Sequence, residues 1–127
     1  MSAGRGQGRR SLIVGTGELL NFYTCRSRFP GLEAPGVAFL AALLCYVNTS
    51  GRNGTRYRAF PSLETLAMQS RLTAPTVRKW VKYYETTGWL IVRKRRSGRR
   101  AAPNEYDVTP AVREINPSLR VIDGGKR

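Results

Sequence analysis

The sequence predicts a small α+β domain with a three-helix core, a small antiparallel β-sheet and a basic hairpin. Three observations favour this fold class. Residues 62–84 contain two helical segments separated by a short turn, Gly88 then precedes a strand-like apolar run, and a second strand-like run follows an arginine-rich turn. At 127 residues the chain has the length of one domain.

The two helices begin at residues that can cap them. Ser62 can accept a hydrogen bond from the free N–H groups of one helix, and Thr73 can do so for the next. Pro75 fits the opening turn of the second helix because an N–H there has no intrahelical partner. Apolar residues recur at three- and four-residue spacing and predict one inward stripe: Leu63, Leu66, Ala67, Val77, Trp80, Val81 and Tyr84.

The opposite face of the second helix is cationic and aromatic. Such a face is expected of a helix that enters a DNA major groove, while a solvated basic face is the alternative interpretation. The residues on this face are Arg78, Lys79, Lys82 and Tyr83, with Thr76 at its edge.

The hairpin concentrates positive charge. Residues 89–92 are predicted to form one strand, and residues 104–108 alternate like a returning strand. Like charges repel in the free protein, so this turn favours a polyanionic partner over a solvated edge hairpin. Its six cations are Arg93, Lys94, Arg95, Arg96, Arg99 and Arg100.

These residues resemble the winged helix-turn-helix domains of phage and plasmid proteins, including replication initiators, and are similar to GntR-type DNA-binding domains. The resemblance covers residues 22–109 and implies DNA binding through the second helix and the wing. Its pattern comprises Tyr46-Val47-Asn48, Ala59-Phe60-Pro61-Ser62, Leu66-Ala67, Thr73, Thr76-Val77, Gly88-Trp89-Leu90 and Asn104-Glu105-Tyr106.

One departure from that family is Arg71, which stands where a glycine is usual in the turn. Arginine in a left-handed conformation costs about 1 kcal/mol. Either the turn is wider here, or Arg71 is kept because it reaches a phosphate. Arg71 and Thr73 are therefore included among the expected DNA-binding residues.

Composition agrees with a polyanionic partner, because 22 Lys and Arg against 8 Asp and Glu give a formal net charge of +14. The longest apolar run, residues 37–47, has about 11 residues and is too short to span a bilayer. The N-terminus lacks the apolar core of a secretory signal. We therefore expect no membrane partner and a cytoplasmic location, at the bacterial nucleoid or in a phage-infected cell.

Metal-dependent and enzymatic functions are disfavoured. The chain has two cysteines, Cys25 and Cys45, and no histidine, whereas a structural zinc site needs about four N or S ligands. The eight acidic residues are spread singly, unlike the clustered carboxylates of a metal nuclease, and no phosphate-binding loop is present. We expect no cofactor, no metal and no enzymatic activity.

The chain is predicted to divide into a basic flexible arm (residues 1–18), the DNA-binding domain (residues 19–110) and a C-terminal extension (residues 111–127). The arm is either a disordered tail or a minor-groove or phosphate contact. Residues 19–29 are expected to be a strand or irregular cover. The first helix should run from near Pro35 to about Val47, and residues 57–60 can add a third strand beside the wing.

The first helix is apolar on all sides. Its side opposite the core stripe carries Ala38, Ala41, Ala42 and Cys45, and such a helix is normally covered on both sides. Either residues 19–23 fold over it, or a second subunit packs there. A two-fold homodimer through this helix would match a palindromic or repeated DNA site.

Together the residues predict a protein that binds double-stranded DNA sequence-specifically, as a phage- or plasmid-derived transcriptional regulator. The alternative is a replication-initiation or plasmid-segregation factor that binds origin or centromere-like repeats. An RNA-binding module, a third possibility, would need an exposed aromatic platform. No small-molecule effector is expected, because little of the chain lies outside the domain.

Overall fold

The computed structural model describes residues 13–49, 56–97 and 100–118. Within them the chain forms five helices and one three-stranded antiparallel sheet, which confirms the predicted α+β class. The elements are α1 (Thr16–Tyr23), α2 (Ala34–Leu44), β1 (Arg58–Ala59), α3 (Leu63–Ser70), α4 (Ala74–Thr87), β2 (Ile91–Ser97), β3 (Arg100–Asp107) and α5 (Thr109–Ile115).

Helix α2 organises the core, because it packs against α1, α3 and α4. Its apolar residues Phe39, Leu40 and Leu43 are each at most 1% exposed. Close approach of α4 requires Gly36, since a Cβ at this position would lie 2.8 Å from Cε3 of Trp80. The helix ends at Leu44, three residues before the predicted end.

The prediction of a strand or irregular cover at residues 19–29 is wrong for residues 19–23, which belong to α1, while residues 24–29 are irregular as predicted. The Glu18 carboxylate accepts a hydrogen bond from the N–H of Gly15 at 2.9 Å, which closes the first turn. Leu19, Phe22 and Tyr23 are buried at helical spacing. Residues 16–18 of the predicted arm therefore belong to the folded part, while residues 1–12 lie outside the described residues.

The small face of α2 is divided between core and surface. Ala42 is only 3% exposed within this single chain, in agreement with cover from its own N-terminal segment. Ala38 is half-buried, and Ala41 and Cys45 are exposed. A second subunit is therefore not needed to bury Ala42.

The sheet has the strand order β1-β3-β2. β1 places Arg58 opposite Asp107, which confirms the predicted third strand beside the hairpin. β2 and β3 form the predicted hairpin with Arg93 opposite Glu105, and the register shifts between Arg93 and Arg95. The first hairpin strand starts at Ile91 and extends to Ser97, so it is longer than predicted.

Tyr57 connects the beginning of the described chain to the sheet. It is fully buried in a left-handed conformation with φ of 65°, which is rare for an aromatic residue. Its hydroxyl accepts a hydrogen bond from the N–H of Val14 at 2.7 Å, and its carbonyl accepts one from the N–H of Val108 at 3.0 Å. These bonds fix the chain just before α1 against the residue just before α5.

Gly36 gives a direct test of the α2–α4 packing. We expect Gly36→Ala to lower the free energy of unfolding by about 1 to 3 kcal/mol, because the new methyl group forces Trp80 out of its position. Urea denaturation followed by tryptophan fluorescence measures the change.

The matched control is Gly17→Ala in α1, where a Cβ meets no atom within 4 Å. This control should be neutral or stabilising, because alanine favours the helix over glycine by about 0.5 to 1 kcal/mol. Equal stability of Gly36→Ala and the wild type would show that α2 and α4 are not packed this closely.

Candidate functional site

Helices α3 and α4 begin and end where the capping residues predict. The Ser62 hydroxyl accepts a hydrogen bond from the N–H of Thr65 at 3.0 Å, and the Thr73 hydroxyl accepts one from the N–H of Thr76 at 3.4 Å. Gly88, with φ of 85°, ends α4 in a left-handed conformation that glycine adopts without strain. Both predicted caps and the predicted end of α4 are confirmed.

Arg71 occupies the left-handed region with φ of 62° and ψ of 34°. Its N–H donates to the carbonyl of Met68 at 3.3 Å, and the N–H of Leu72 donates to the carbonyl of Ala67 at 3.0 Å. These bonds make a tight turn, so the expectation of a wider turn is wrong. Arg71 keeps a strained backbone, and its side chain is exposed.

Helix α4 separates apolar from basic residues. Val77, Trp80 and Tyr84 are at most 2% exposed, as the apolar stripe predicts. The cations Arg78, Lys79 and Lys82 on the other side are exposed, and Thr76 at the edge of this face is half-buried. The ammonium group of Lys79 lies 4.9 Å from the ring centroid of Trp80 and covers part of that ring.

Tyr83 is packed more tightly than its predicted place on the exposed face implies. Its ring lies edge-on to Trp80 at 5.2 Å and to Tyr84 at 5.3 Å between centroids. Phe29 lies 6.4 Å away on another side. The half-buried Tyr83 therefore contributes much of its ring surface to an aromatic cluster.

A groove of about 590 Å³ lies between α4 and the hairpin. It brings together three predicted site residues from two elements, Arg78 and Lys82 of α4 and Lys94 of β2. Apolar side chains, including Val81 and Val92, line it together with these cations. The carboxylates of Glu64 and Glu85 also line this groove, so its charge is mixed.

Arg93 lies outside this groove lining and forms ion pairs with two carboxylates. Its Nη1 is 2.7 Å from Oε2 of Glu105 and 3.0 Å from Oδ2 of Asp107. Nε of Arg58 is 3.5 and 3.4 Å from the same two oxygens. Burial disfavours the charge of Arg93, but the hydrogen bonds and charges of Asp107 and Glu105 outweigh it and raise its pKa. We call Arg58, Arg93, Glu105 and Asp107 the ion-pair cluster.

Arg95 also contacts its own chain. Its guanidinium carbon lies 4.7 Å above the ring centroid of Phe60, and its Nη1 donates to the carbonyl of Pro103 at 3.4 Å. Arg96 and Arg100 lie in the paired strands β2 and β3, and Arg99 lies outside the described residues. Of the predicted hairpin cations, Lys94 alone is among the residues that line the groove in the described part of the chain.

The residue pattern does not reveal the ion-pair cluster. Arg58 stands in a two-residue strand that sequence spacing marks only weakly. The signal that could have indicated it is the pairing of opposite charges across antiparallel strands. Using that signal requires the register, and the register is irregular just beyond Arg93.

The described residues hold no group of three or more His, Cys, Asp or Glu side chains that could bind a metal ion. Within the same residues, no helix combines the length and the apolar character needed to cross a membrane.

The chain matches no family model, and no curated protein or solved structure is significantly similar to it. The resemblance to winged helix-turn-helix domains therefore stays a prediction from the residues.

Cys25 is expected to react with alkylating reagents at neutral pH. The hydrogen bond with the hydroxyl of Ser27 at 3.2 Å, and bonds from the N–H groups of Arg28 and Ser27, lower its pKa to about 7. With this pKa, the thiolate form of Cys25 becomes the major form as the pH rises through about 7. Because the thiolate is the reactive form, the rate of iodoacetamide labelling should rise over the same interval.

Mass spectrometry of labelled peptides between pH 6 and 9 measures this rate. Cys45→Ser should leave the pH dependence of Cys25 labelling unchanged. A labelling midpoint for Cys25 above pH 8.5 would contradict the effect of these hydrogen bonds.

Proposed function

We propose that the protein binds double-stranded DNA sequence-specifically through a winged helix-turn-helix fold. The observation that carries the proposal is the groove between α4 and the hairpin, where Arg78, Lys82 and Lys94 meet. The order α3, turn, α4 and β2–β3 hairpin supports the same fold. The formal net charge of +14 supplies the attraction to a polyanion.

Helix α4 is the element that we assign to the major groove. It has 14 residues, and the side opposite its apolar stripe carries Thr76, Arg78, Lys79 and Lys82 over two turns. Arginine and lysine can donate to guanine, whereas threonine can contact several bases. In this arrangement Lys94, which lines the same groove, contacts the phosphate backbone of the DNA strand that lies between α4 and the hairpin.

The acidic residues of the groove bear on specificity. Glu64 and Glu85 repel phosphates, so a DNA strand that enters the groove has to keep its phosphates near Arg78, Lys82 and Lys94. Mixed charge of this kind weakens non-specific attraction and favours one register on the DNA. This supports a sequence-specific binder rather than a general polyanion binder.

The biological role that we propose is that of a transcriptional regulator derived from a phage or plasmid, acting in the bacterial cytoplasm. A replication-initiation or segregation factor would use the same contacts on repeated sites near an origin. The homodimer through α2 also stays a prediction. Because Ala42 is buried within the chain, the dimer interface would have to use the exposed residues Val37, Ala41 and Cys45.

The groove is tested by removing its α4 cations. We expect Arg78→Ala/Lys82→Ala to weaken binding to a selected DNA site by about 1 to 3 kcal/mol for each base that these side chains recognise, and to relax sequence preference at those positions. Selection from random duplexes followed by fluorescence anisotropy measures both effects.

The charge-matched control is Arg26→Ala/Arg113→Ala, which removes two exposed cations that do not line the groove. This control should keep the sequence preference of the wild type. Native affinity and preference in the Arg78/Lys82 variant, with the fold intact, would show that the groove is not the interface.

Arg71 tests whether backbone strain is retained for binding. Arg71→Gly should raise the free energy of unfolding by up to about 1 kcal/mol, because glycine adopts the left-handed turn without the Cβ penalty. If Arg71 contacts a phosphate, the same change should weaken DNA binding and flatten the salt dependence by about 0.9 in log slope.

Thermal unfolding and anisotropy titrations at several salt concentrations measure the two quantities. Arg71→Asn serves as the control for the added backbone freedom of glycine, since asparagine also removes the charge and tolerates the left-handed region. An Arg71→Gly protein with the salt slope of the wild type would exclude a phosphate contact.

A further inference from the structure

The ion-pair cluster joins all three strands at the base of the hairpin. Arg58 comes from β1, Glu105 and Asp107 from β3, and Arg93 from β2. The strand registers bring Arg58 opposite Asp107 and Arg93 opposite Glu105. Its two positive and two negative charges cancel, so the cluster adds no net charge to the surface.

Asp107 connects the cluster to the core. This residue is 2% exposed, and its carboxylate accepts hydrogen bonds from the N–H of Thr109 at 2.8 Å and from the Thr109 hydroxyl. Thr109 begins α5, and α5 packs against α1. The cluster therefore attaches the hairpin to an element that is itself held in place.

Moving Arg93 toward DNA would be costly. A phosphate contact would draw its guanidinium away from Glu105 and Asp107, which are 15% and 2% exposed. Within the cluster, Arg58 would then have to balance two largely buried carboxylates that keep their desolvation penalty, whereas an exposed ion pair with a phosphate returns little energy. The existing ion pairs are thus favoured over a DNA contact.

Adjacent residues of β2 face different surroundings. Lys94 lines the groove with Arg78 and Lys82, while Arg93 lies on the other face of the sheet with the two carboxylates. Beyond the register shift, Arg95 stacks on Phe60, which follows β1. The hairpin is therefore attached at two points along its length, to β1 and to the residue that follows it.

We propose that Arg93 is a positioning residue that fixes β2 against β3, through Glu105 and Asp107, so that Lys94 faces α4. It is not a phosphate contact, although it stands in the most basic segment of the chain. The inference rests on the proposed DNA-binding function, and it divides the hairpin cations into those that contact DNA and those that orient the hairpin.

Glu105→Gln distinguishes the two roles by the sign of its effect. Removing a negative charge normally strengthens DNA binding, and freeing Arg93 for a phosphate would strengthen it further. A positioning role predicts the opposite, a decrease in affinity of roughly threefold or more, because β2 loses one of the two ion pairs by which Arg93 fixes it against β3. Affinity equal to or higher than that of the wild type would overturn the proposal.

The matched control is Glu114→Gln, which makes the same charge change at an exposed residue that lies outside both the cluster and the groove. Its affinity should be unchanged or higher. Circular dichroism and thermal unfolding check that both glutamine variants are folded.

Salt dependence gives a second, independent test on selected DNA. Arg93→Gln should lower affinity and leave the slope of log affinity against log salt unchanged, because no counterion is released at Arg93. Lys94→Gln, its neighbour, should flatten the slope by about 0.9. A similar flattening in Arg93→Gln would identify Arg93 as a phosphate contact and overturn its assignment.

Hydrogen exchange in the free protein separates this inference from the proposed function. Amides of β2 and β3 should exchange roughly tenfold faster in Arg93→Gln than in the wild type, and at the wild-type rate in Lys94→Gln. If the wild type bound no DNA, the proposed function would fail, and this measurement would still decide the role of Arg93. Unchanged exchange rates in Arg93→Gln would overturn the positioning role of Arg93.

Discussion

The candidate interface depends on one packing constraint, the burial of the apolar stripe of α4 against α2. Trp80 lies over Gly36 at a distance that leaves no room for a side chain, and Val77 and Tyr84 are buried on the same stripe. Because α4 is amphipathic, fixing this stripe fixes the opposite side as well. The orientation of Arg78 and Lys79 toward solvent is therefore a consequence of core packing.

An aromatic cluster extends this constraint to the hairpin. Tyr23 of α1 packs edge-on against Tyr84 at 5.4 Å, and its hydroxyl donates to the carbonyl of Trp89, just before β2. The Tyr84 hydroxyl donates to the carbonyl of Tyr23 at 2.9 Å. Burial raises the pKa of both tyrosines, so they remain neutral donors. The end of α4 and the start of the hairpin are thus held by the same residues.

Charge along the chain is a poor guide to the charge that a partner meets. Arg93, Lys94 and Arg95 are consecutive, yet the first is paired with carboxylates, the second lines the groove, and the third stacks on an aromatic ring. Alternation along a strand separates the first two. The interface that we propose therefore uses fewer hairpin cations than the composition indicates, and Arg93 and Arg95 stabilise its shape.

Local signals in the sequence determined the helix pair, because a cap is a hydrogen bond between residues three apart, as at Ser62 and Thr73, and because Gly88 tolerates a left-handed turn. The amphipathic pattern likewise determined which side of α4 is basic. Only the tertiary structure decided that Ala42 is buried within a single chain and that Arg93 pairs with Glu105. Each of these depends on partners distant in the chain, and strand register is set by long-range pairing and an irregularity that spacing alone does not encode.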